Sequence, residues 1–164
     1  MIRRIVEGFA FHFLLVLIKA RACLVYFFAR QKTGMFRIVD QAQSVDATNE
    51  GYTDRFFTCS DGLTLHFRDY SPVRSAVQPA AGMTVLCLHG LTRNAADFSE
   101  IASMLRKHYR VIVMDQRGRG YSEYDSTTSR YRPDIYVQDT LHLLRALQLD
   151  NIVLLGTSMG ALMS

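Results

Sequence analysis

The sequence has no tryptophan, only three prolines and three cysteines, and no internal repeat or low-complexity tract. The lack of repeats excludes a solenoid, and a chain that is 49% hydrophobic and 21% charged is not of the disordered or fibrous kind. At 164 residues it is long enough to bury one ordinary core. We therefore expect one globular domain.

The three cysteines, Cys23, Cys59 and Cys87, are widely spaced and lie in apolar or strand-like segments. None of their spacings is a close pair of the kind that binds zinc. We interpret all three as buried free thiols, which suits a reducing compartment. The expected location is cytoplasmic, and no metal or organic cofactor is implied.

Positive charge is concentrated at the start of the chain. The formal net charge is +4, yet residues 1–37 hold seven basic side chains and one acidic side chain, and the rest holds twelve basic and fourteen acidic. The main body therefore offers no basic groove, and we predict no nucleic-acid partner.

Residues 1–30 form an apolar and basic N-terminal segment. Seventeen of the twenty residues from Phe9 to Phe28 are apolar, but Lys19 and Arg21 would each cost about 2.5–3.5 kcal/mol in a membrane span. Three alternatives stay open: a secretory signal, weak membrane association as an interfacial helix, and an extension without a targeting role. Residues 31–53 are polar and are predicted to be a linker to a domain at 54–164.

The domain is predicted to begin with a β-hairpin. Two β-prone runs, Arg55–Cys59 and Leu63–Tyr70, flank the turn signal Ser60-Asp61-Gly62.

Apolar runs and helical periodicity then alternate along the chain. Three continuously apolar runs predict buried strands: Thr84–Leu88, Arg110–Met114 and Asn151–Leu155. Between them, apolar residues at helical spacing predict helices over Asp97–Lys107 and Pro133–Leu147. This order predicts a mainly parallel sheet with helices on its faces and a site at the carboxyl ends of its strands.

The strongest chemical signal is Gly156-Thr157-Ser158-Met159-Gly160, directly after the last apolar run. This pattern places a serine on a sharp strand-to-helix turn, where Gly156 and Gly160 let the two backbones pass closely. Ser158 would be the nucleophile, and the Met159 N–H would be one donor to an oxyanion. The alternative is an ordinary turn in which Ser158 caps a helix.

Over about residues 52–164 the sequence resembles the α/β hydrolases of the esterase and lipase type. The resemblance rests on four segments in their order: Asp61-Gly62-Leu63, His89-Gly90-Leu91, Asp115 to Ser122, and Gly156 to Gly160. It implies the N-terminal half of an α/β-hydrolase fold, a mainly parallel sheet with an initial antiparallel hairpin, truncated after the nucleophile elbow.

The resemblance also implies roles for the segment after the first apolar strand. The Leu91 N–H would be the second oxyanion donor, and His89 and Gly90 would be structural. Relatives that open epoxides or remove halogens have a proline after this His-Gly pair and an aspartate nucleophile, whereas this chain has Leu91-Thr92 and Ser158. Cleavage of a small-molecule ester or related acyl bond fits better. The segment from Asp115 to Ser122 would be mainly structural.

In that family the triad acid and histidine follow the serine. Only six residues follow Ser158, and none is acidic or histidine, so we expect the chain to be inactive by itself. We expect the edge of Asn151–Leu155 to be open to solvent. His66 on a strand, and His108 and His142 on helix surfaces, are expected to be non-catalytic. Two other classes of function remain: a non-catalytic hydrolase-like protein that binds a small molecule, and a membrane-associated interaction protein.

Overall fold

The computed structural model describes residues 51–72 and 82–164, and the backbone of residues 23–29. Six strands form one sheet in the order β1-β6-β4-β5-β3-β2. The strands are β1 (Cys23–Ala29), β2 (Thr53–Thr58), β3 (Thr64–Tyr70), β4 (Thr84–Leu88), β5 (Arg110–Met114) and β6 (Asn151–Thr157). The central strands β6, β4 and β5 are parallel, as their continuous apolar character predicts.

The predicted hairpin is confirmed. β2 and β3 pair antiparallel, and β3 continues the sheet by pairing antiparallel with β5. The turn between β2 and β3 is closed by a hydrogen bond from the Gly62 N–H to the Cys59 carbonyl oxygen at 3.0 Å. Gly62 has φ +86°, a conformation that a side chain would disfavour.

Three α-helices are described: α1 (Ser99–Leu105), α2 (Pro133–Ala146) and α3 (Met159–Leu162). The first is shorter than predicted, because Asn94 caps a 3-10 turn over Ala95–Phe98 by accepting from the Ala96 N–H at 2.9 Å. Proline at the first position starts α2, as expected.

The core lies on both faces of the sheet because alternate side chains of β4 and β5 point to opposite sides. On one face Leu86, Leu88, Ile112 and Met114 pack in the same cluster as Tyr136 and Leu143 of α2. On the other face Val85, Cys87, Val111 and Val113 pack with Phe98 and Ala102 near α1. Cys59 and Cys87 are buried and form no disulfide with each other, as predicted, and the side chain of Cys23 lies outside the described residues.

The expectation of an open edge at β6 is wrong. β1 pairs antiparallel with β6, from Cys23 opposite Thr157 to Ala29 opposite Asn151. The ladder supplies hydrogen-bond partners to a strand edge that would otherwise present unpaired amides and carbonyls.

A helix through the whole Phe9–Phe28 run is excluded, since its last six residues belong to β1. The rest of that run, and residues 31–50 of the predicted linker, lie outside the described residues. Within the described part of the chain, no helix has the length and hydropathy needed to cross a membrane.

Candidate active site

Ser158 lies on the turn between β6 and α3 in a strained backbone conformation. Its φ is +50° and its ψ is −116°, whereas a helix-capping residue has extended dihedrals. Its side chain makes no capping hydrogen bond and the residue is exposed. Ser158 therefore stands at the N-cap position of α3, but its side chain does not cap the helix. Holding a non-glycine residue in such a region costs about 1–3 kcal/mol, which the surrounding structure must offset.

Two glycines allow the turn to be this tight. A Cβ atom on Gly160 would overlap the Leu88 carbonyl oxygen at the end of β4, and one on Gly156 would lie 2.5 Å from the Gly160 carbonyl carbon. Strand β6 and helix α3 therefore pass each other at backbone contact. The first residue of α3, Met159, follows Ser158 directly and is buried.

The loop after β4 passes beside Ser158. A Cβ atom on Gly90 would lie 3.4 Å from Ser158 Cβ, so a side chain at position 90 would be in van der Waals contact with Ser158. Leu91 is the next residue, and its side chain is 52% exposed. The structure thus brings together the sequence-predicted residues Ser158, Gly90, Leu91 and Met159 at the carboxyl ends of β4 and β6.

His89 is buried, and both of its ring nitrogens have partners. Nδ1 lies 2.7 Å from the Gly90 carbonyl oxygen, and Nε2 lies 3.0 Å from the Gln116 N–H. A neutral ring makes both hydrogen bonds when its Nδ1–H donates to the Gly90 carbonyl oxygen and its Nε2 accepts from the Gln116 N–H. Burial lowers the pKa of His89 and favours this neutral form. His89 therefore joins the loop after β4 to the end of β5 and has no free nitrogen to act as a base.

His66 and Asp115 form a second buried contact. His66 Nδ1 lies 2.7 Å from Asp115 Oδ2, and Nε2 lies 2.9 Å from Asp54 Oδ1. Burial raises the pKa of Asp115, but hydrogen bonds from His66 and from the Tyr121 and Ala95 amides outweigh it and leave the pKa lowered. Both ring nitrogens of His66 are thus engaged by carboxylates, which fits a structural role.

Within residues 51–72 and 82–164, no hydrogen bond reaches Ser158 Oγ. His108 is exposed in the turn after α1, and His142 lies on α2. His12 lies outside the described residues.

The most extensive ionic cluster surrounds Arg117, which is 1% exposed. Its guanidinium binds both carboxylate oxygens of Asp139 at 2.7 and 2.6 Å, and also Asp125 at 2.7 Å and Asp61 at 3.1 Å. These contacts join the β2–β3 turn, the segment after β5 and helix α2.

One group of side chains next to this cluster has ligand atoms close enough to hold a metal ion. Atoms of Cys59, Asp139 and His142 lie within 4.8 Å of one another. However, Arg117 already occupies the Asp139 carboxylate, and burial followed by the Asp139 charge strongly raises the pKa of the Cys59 thiol. A cation there would be repelled by the guanidinium, so we assign the group a structural role.

Sequence reasoning missed two residues of the turn Asp115–Ser122 that contact the loop after β4. The Gln116 N–H donates to His89, and Arg119 Nε donates to the Leu91 carbonyl oxygen at 2.9 Å. The loop and the turn are far apart in sequence, and no local pattern signals the contact.

Both a family model and individual known proteins are similar to this chain. A family model described as alpha/beta hydrolase fold matches residues 84–164. The 3-hydroxybutyrate-oligomer hydrolase of Cupriavidus necator is 40% identical over 107 residues, 65% of this chain and 36% of that protein. The non-heme chloroperoxidase of Streptomyces lividans is 34% identical over 104 residues, 63% of this chain and 34% of that protein.

Among solved structures, an alpha/beta hydrolase from Novosphingobium aromaticivorans matches with a TM-score of 0.55 and 43% identity. That match covers 62% of this chain and 34% of the other. This chain thus spans about a third of the length of these relatives.

Proposed function

This chain belongs to the α/β hydrolase fold superfamily, and we propose that it carries the nucleophile of a serine hydrolase that cleaves carboxylic esters or related acyl bonds. The observation that carries the proposal is the backbone of Ser158. A serine held at φ +50° and ψ −116°, exposed and without a capping bond, supports a role in chemistry over a role in helix stability.

The proposed reaction proceeds through an acyl-enzyme. Ser158 Oγ attacks the acyl carbonyl carbon while a base removes the hydroxyl proton. The resulting oxyanion accepts hydrogen bonds from the Leu91 and Met159 amides. The alcohol leaves with the proton, and water then hydrolyses the acyl-serine in the same way.

The proposal requires a histidine base and an acid, and among the described residues neither a histidine nor a carboxylate is hydrogen-bonded to Ser158. His89 has both ring nitrogens engaged, and so does His66. We propose that the histidine and the acid come from chain positions outside the described ranges.

The proposed substrate is a small molecule with an ester or a related acyl bond. The relative from Cupriavidus necator is named for the hydrolysis of 3-hydroxybutyrate oligomers, and the one from Streptomyces lividans is named as a chloroperoxidase. Because these names differ, the fold does not fix the substrate, and a short p-nitrophenyl ester is a suitable first probe.

The test is covalent labelling of the complete gene product with a fluorophosphonate, followed by peptide mapping. We expect one phosphonyl group on Ser158, none in Ser158→Ala, and full labelling in Ser126→Ala, whose serine is exposed outside the site. We expect residues 1–164 expressed by themselves to remain unlabelled.

Label on another serine, or no label on the complete gene product, would contradict the proposal. The second result would favour the alternative of a non-catalytic hydrolase-like protein that binds a small molecule.

A further inference from the structure

Three hydrogen bonds join the turn Asp115–Ser122 to the loop His89–Ala95. Asp115 Oδ1 accepts from the Ala95 N–H at 2.6 Å, and the Gln116 N–H donates to His89 Nε2 at 3.0 Å. The third bond runs from Arg119 Nε to the Leu91 carbonyl oxygen at 2.9 Å. Only this third bond reaches Leu91 itself, whose N–H is the proposed oxyanion donor.

Hydrogen bonds hold the peptide groups on both sides of the Leu91 Cα atom. The Leu91 N–H belongs to the peptide whose carbonyl is that of Gly90, and this oxygen accepts from His89 Nδ1 at 2.7 Å and from the Arg93 N–H at 3.2 Å. In a trans peptide the N–H points away from the carbonyl, so these bonds set its direction. The next peptide carries the Leu91 carbonyl, and Arg119 holds it.

Arg119 is itself well fixed. Its Nη1 donates to the Arg117 carbonyl oxygen at 2.8 Å and to the Tyr136 hydroxyl at 3.1 Å. Its guanidinium carbon lies 5.4 Å from the centroid of the Tyr136 ring and 5.7 Å from that of Tyr131. Because Tyr136 is only 2% exposed, the contacts tie Arg119 to the core side of α2.

Leu91 has little packing of its own to keep it in place. Its side chain is 52% exposed, so the conformation of the residue depends on hydrogen bonds to its backbone. An arginine with a rigid, planar donor group is suited to that task, and a lysine is not, because it cannot donate in three fixed directions within one plane.

We propose that Arg119 is a positioning residue of the oxyanion hole: it holds the Leu91 peptide so that the Leu91 N–H points at the oxyanion formed on Ser158. This inference rests on the proposed serine hydrolase function. It assigns a task in the reaction to a turn that the sequence indicated only as structural.

The experiment compares Arg119→Lys and Arg119→Met with Arg132→Gln in the complete gene product. Arg132 is an exposed arginine bound to Asp134 on the surface, which makes it a matched control. For a p-nitrophenyl ester we expect kcat to fall about 10- to 100-fold in both Arg119 variants, with KM changed less than about threefold. This is less than the loss of about 10² to 10³ that follows removal of a whole oxyanion donor.

A second readout does not depend on turnover. The ¹⁵N order parameter of the Leu91 amide is expected to fall in both Arg119 variants and to stay at the wild-type value in Arg132→Gln. Arg119→Lys separates geometry from charge, since restored activity in that variant would mean that the positive charge suffices and would overturn the proposal.

Failure of the inference about Arg119 and failure of the proposed function give different results. If the wild type turns over the ester and the Arg119 variants match it, the inference about Arg119 is wrong while the proposed function stands. If the wild type has no activity, the proposed function fails, and an unchanged Leu91 order parameter would then overturn the positioning role as well. Equal losses in kcat and in thermal stability, with an unchanged Leu91 order parameter, would indicate a structural role only.

Discussion

Two residues show how strongly local conformation and burial define the site. Ser158 has a backbone that an L-amino acid rarely adopts, and His89 keeps a neutral ring between a carbonyl oxygen and an amide. The backbone of Ser158 is strained, and burial disfavours the charged form of His89. Both are therefore measurable as differences in the free energy of unfolding.

We expect Ser158→Gly to be more stable than the wild type and Ser158→Ala not to be. Glycine relieves the strain at φ +50°, worth about 1–3 kcal/mol, and loses about 0.5–1 kcal/mol through its greater freedom in the unfolded chain. A net gain of about 1 kcal/mol should appear in urea denaturation. Thr157→Gly, at the end of β6, is the control and should be less stable than the wild type. Equal stabilities of Ser158→Gly and Ser158→Ala would contradict the assigned strain.

The second prediction concerns how the free energy of unfolding changes in acid because of His89. Its pKa is lowered from 6.5 by burial, so the unfolded chain takes up the proton more readily than the folded chain. The contribution of the neutral ring is complete above about pH 6.5 and is lost as the pH falls below it.

Urea unfolding at pH 7, 6 and 5 should show a smaller decrease in the free energy of unfolding for His89→Gln than for the wild type. Glutamine can donate to one partner and accept from the other without titrating. The control is His108→Gln, since His108 is exposed, and it should keep the wild-type slope. An unchanged slope in His89→Gln would show that other groups dominate the acid response.

At the scale of elements, buried charge joins the parts that carry the site. Arg117 links the β2–β3 turn, the segment after β5 and α2 through Asp61, Asp125 and Asp139. Removing one partner of a buried ion pair leaves an uncompensated charge, which typically costs about 3–5 kcal/mol.

We therefore expect Arg117→Met to lower the free energy of unfolding by about 3–5 kcal/mol. The double variant Arg117→Met with Asp139→Leu should recover part of that loss, because it removes the buried charge at position 139 while Asp125 keeps its own. Arg132→Gln breaks an exposed pair and should change stability by about 0.5 kcal/mol or less. A double variant no more stable than Arg117→Met would show that geometry, and not charge compensation, is the function of the cluster.

The strands that sequence reasoning placed correctly are the ones with local signals. β4 and β5 coincide with the apolar runs Thr84–Leu88 and Arg110–Met114, each of which ends at a polar residue, His89 or Asp115. β1 was not predicted as a strand. It lies within a longer apolar run whose length fits a helix, and its partner β6 is at the other end of the chain.

In the candidate site, too, the features with a local sequence pattern could be predicted and the long-range contacts could not. The motif around Ser158 is contiguous, and its two small glycines explain the turn. The contact between Arg119 and Leu91 joins residues 28 positions apart and depends on how β4 and β5 lie side by side in the sheet. Such a contact follows from the fold and leaves no pattern in the sequence.

At the scale of the molecule, the important pairing is between the first and last strands of the described residues, β1 and β6. With β1 in place, the edge of β6 is covered along its whole length. Without it, a buried apolar strand would present free hydrogen-bonding groups, which favours association between copies of the chain.

We expect Val25→Pro to promote self-association, because a proline in the middle of β1, opposite Leu155, fixes the backbone φ and weakens the pairing with β6. Val25→Thr adds no such constraint and should behave like the wild type. Size-exclusion chromatography over a range of concentrations measures the difference, and hydrogen exchange of the β6 amides should be faster in the proline variant. A monomeric Val25→Pro variant with protected β6 amides would argue against β1 as the partner of β6.

The pairing of β1 with β6 also has a consequence for biosynthesis. A ribosome adds about 5–20 residues per second, so β1 emerges on the order of ten seconds before β6 is complete. During that interval an apolar strand waits without its partner, and it is exposed to chaperones and to neighbouring nascent chains. The turn that carries Ser158 forms only after β6 has emerged, when β6 pairs with a strand that was synthesised well before it.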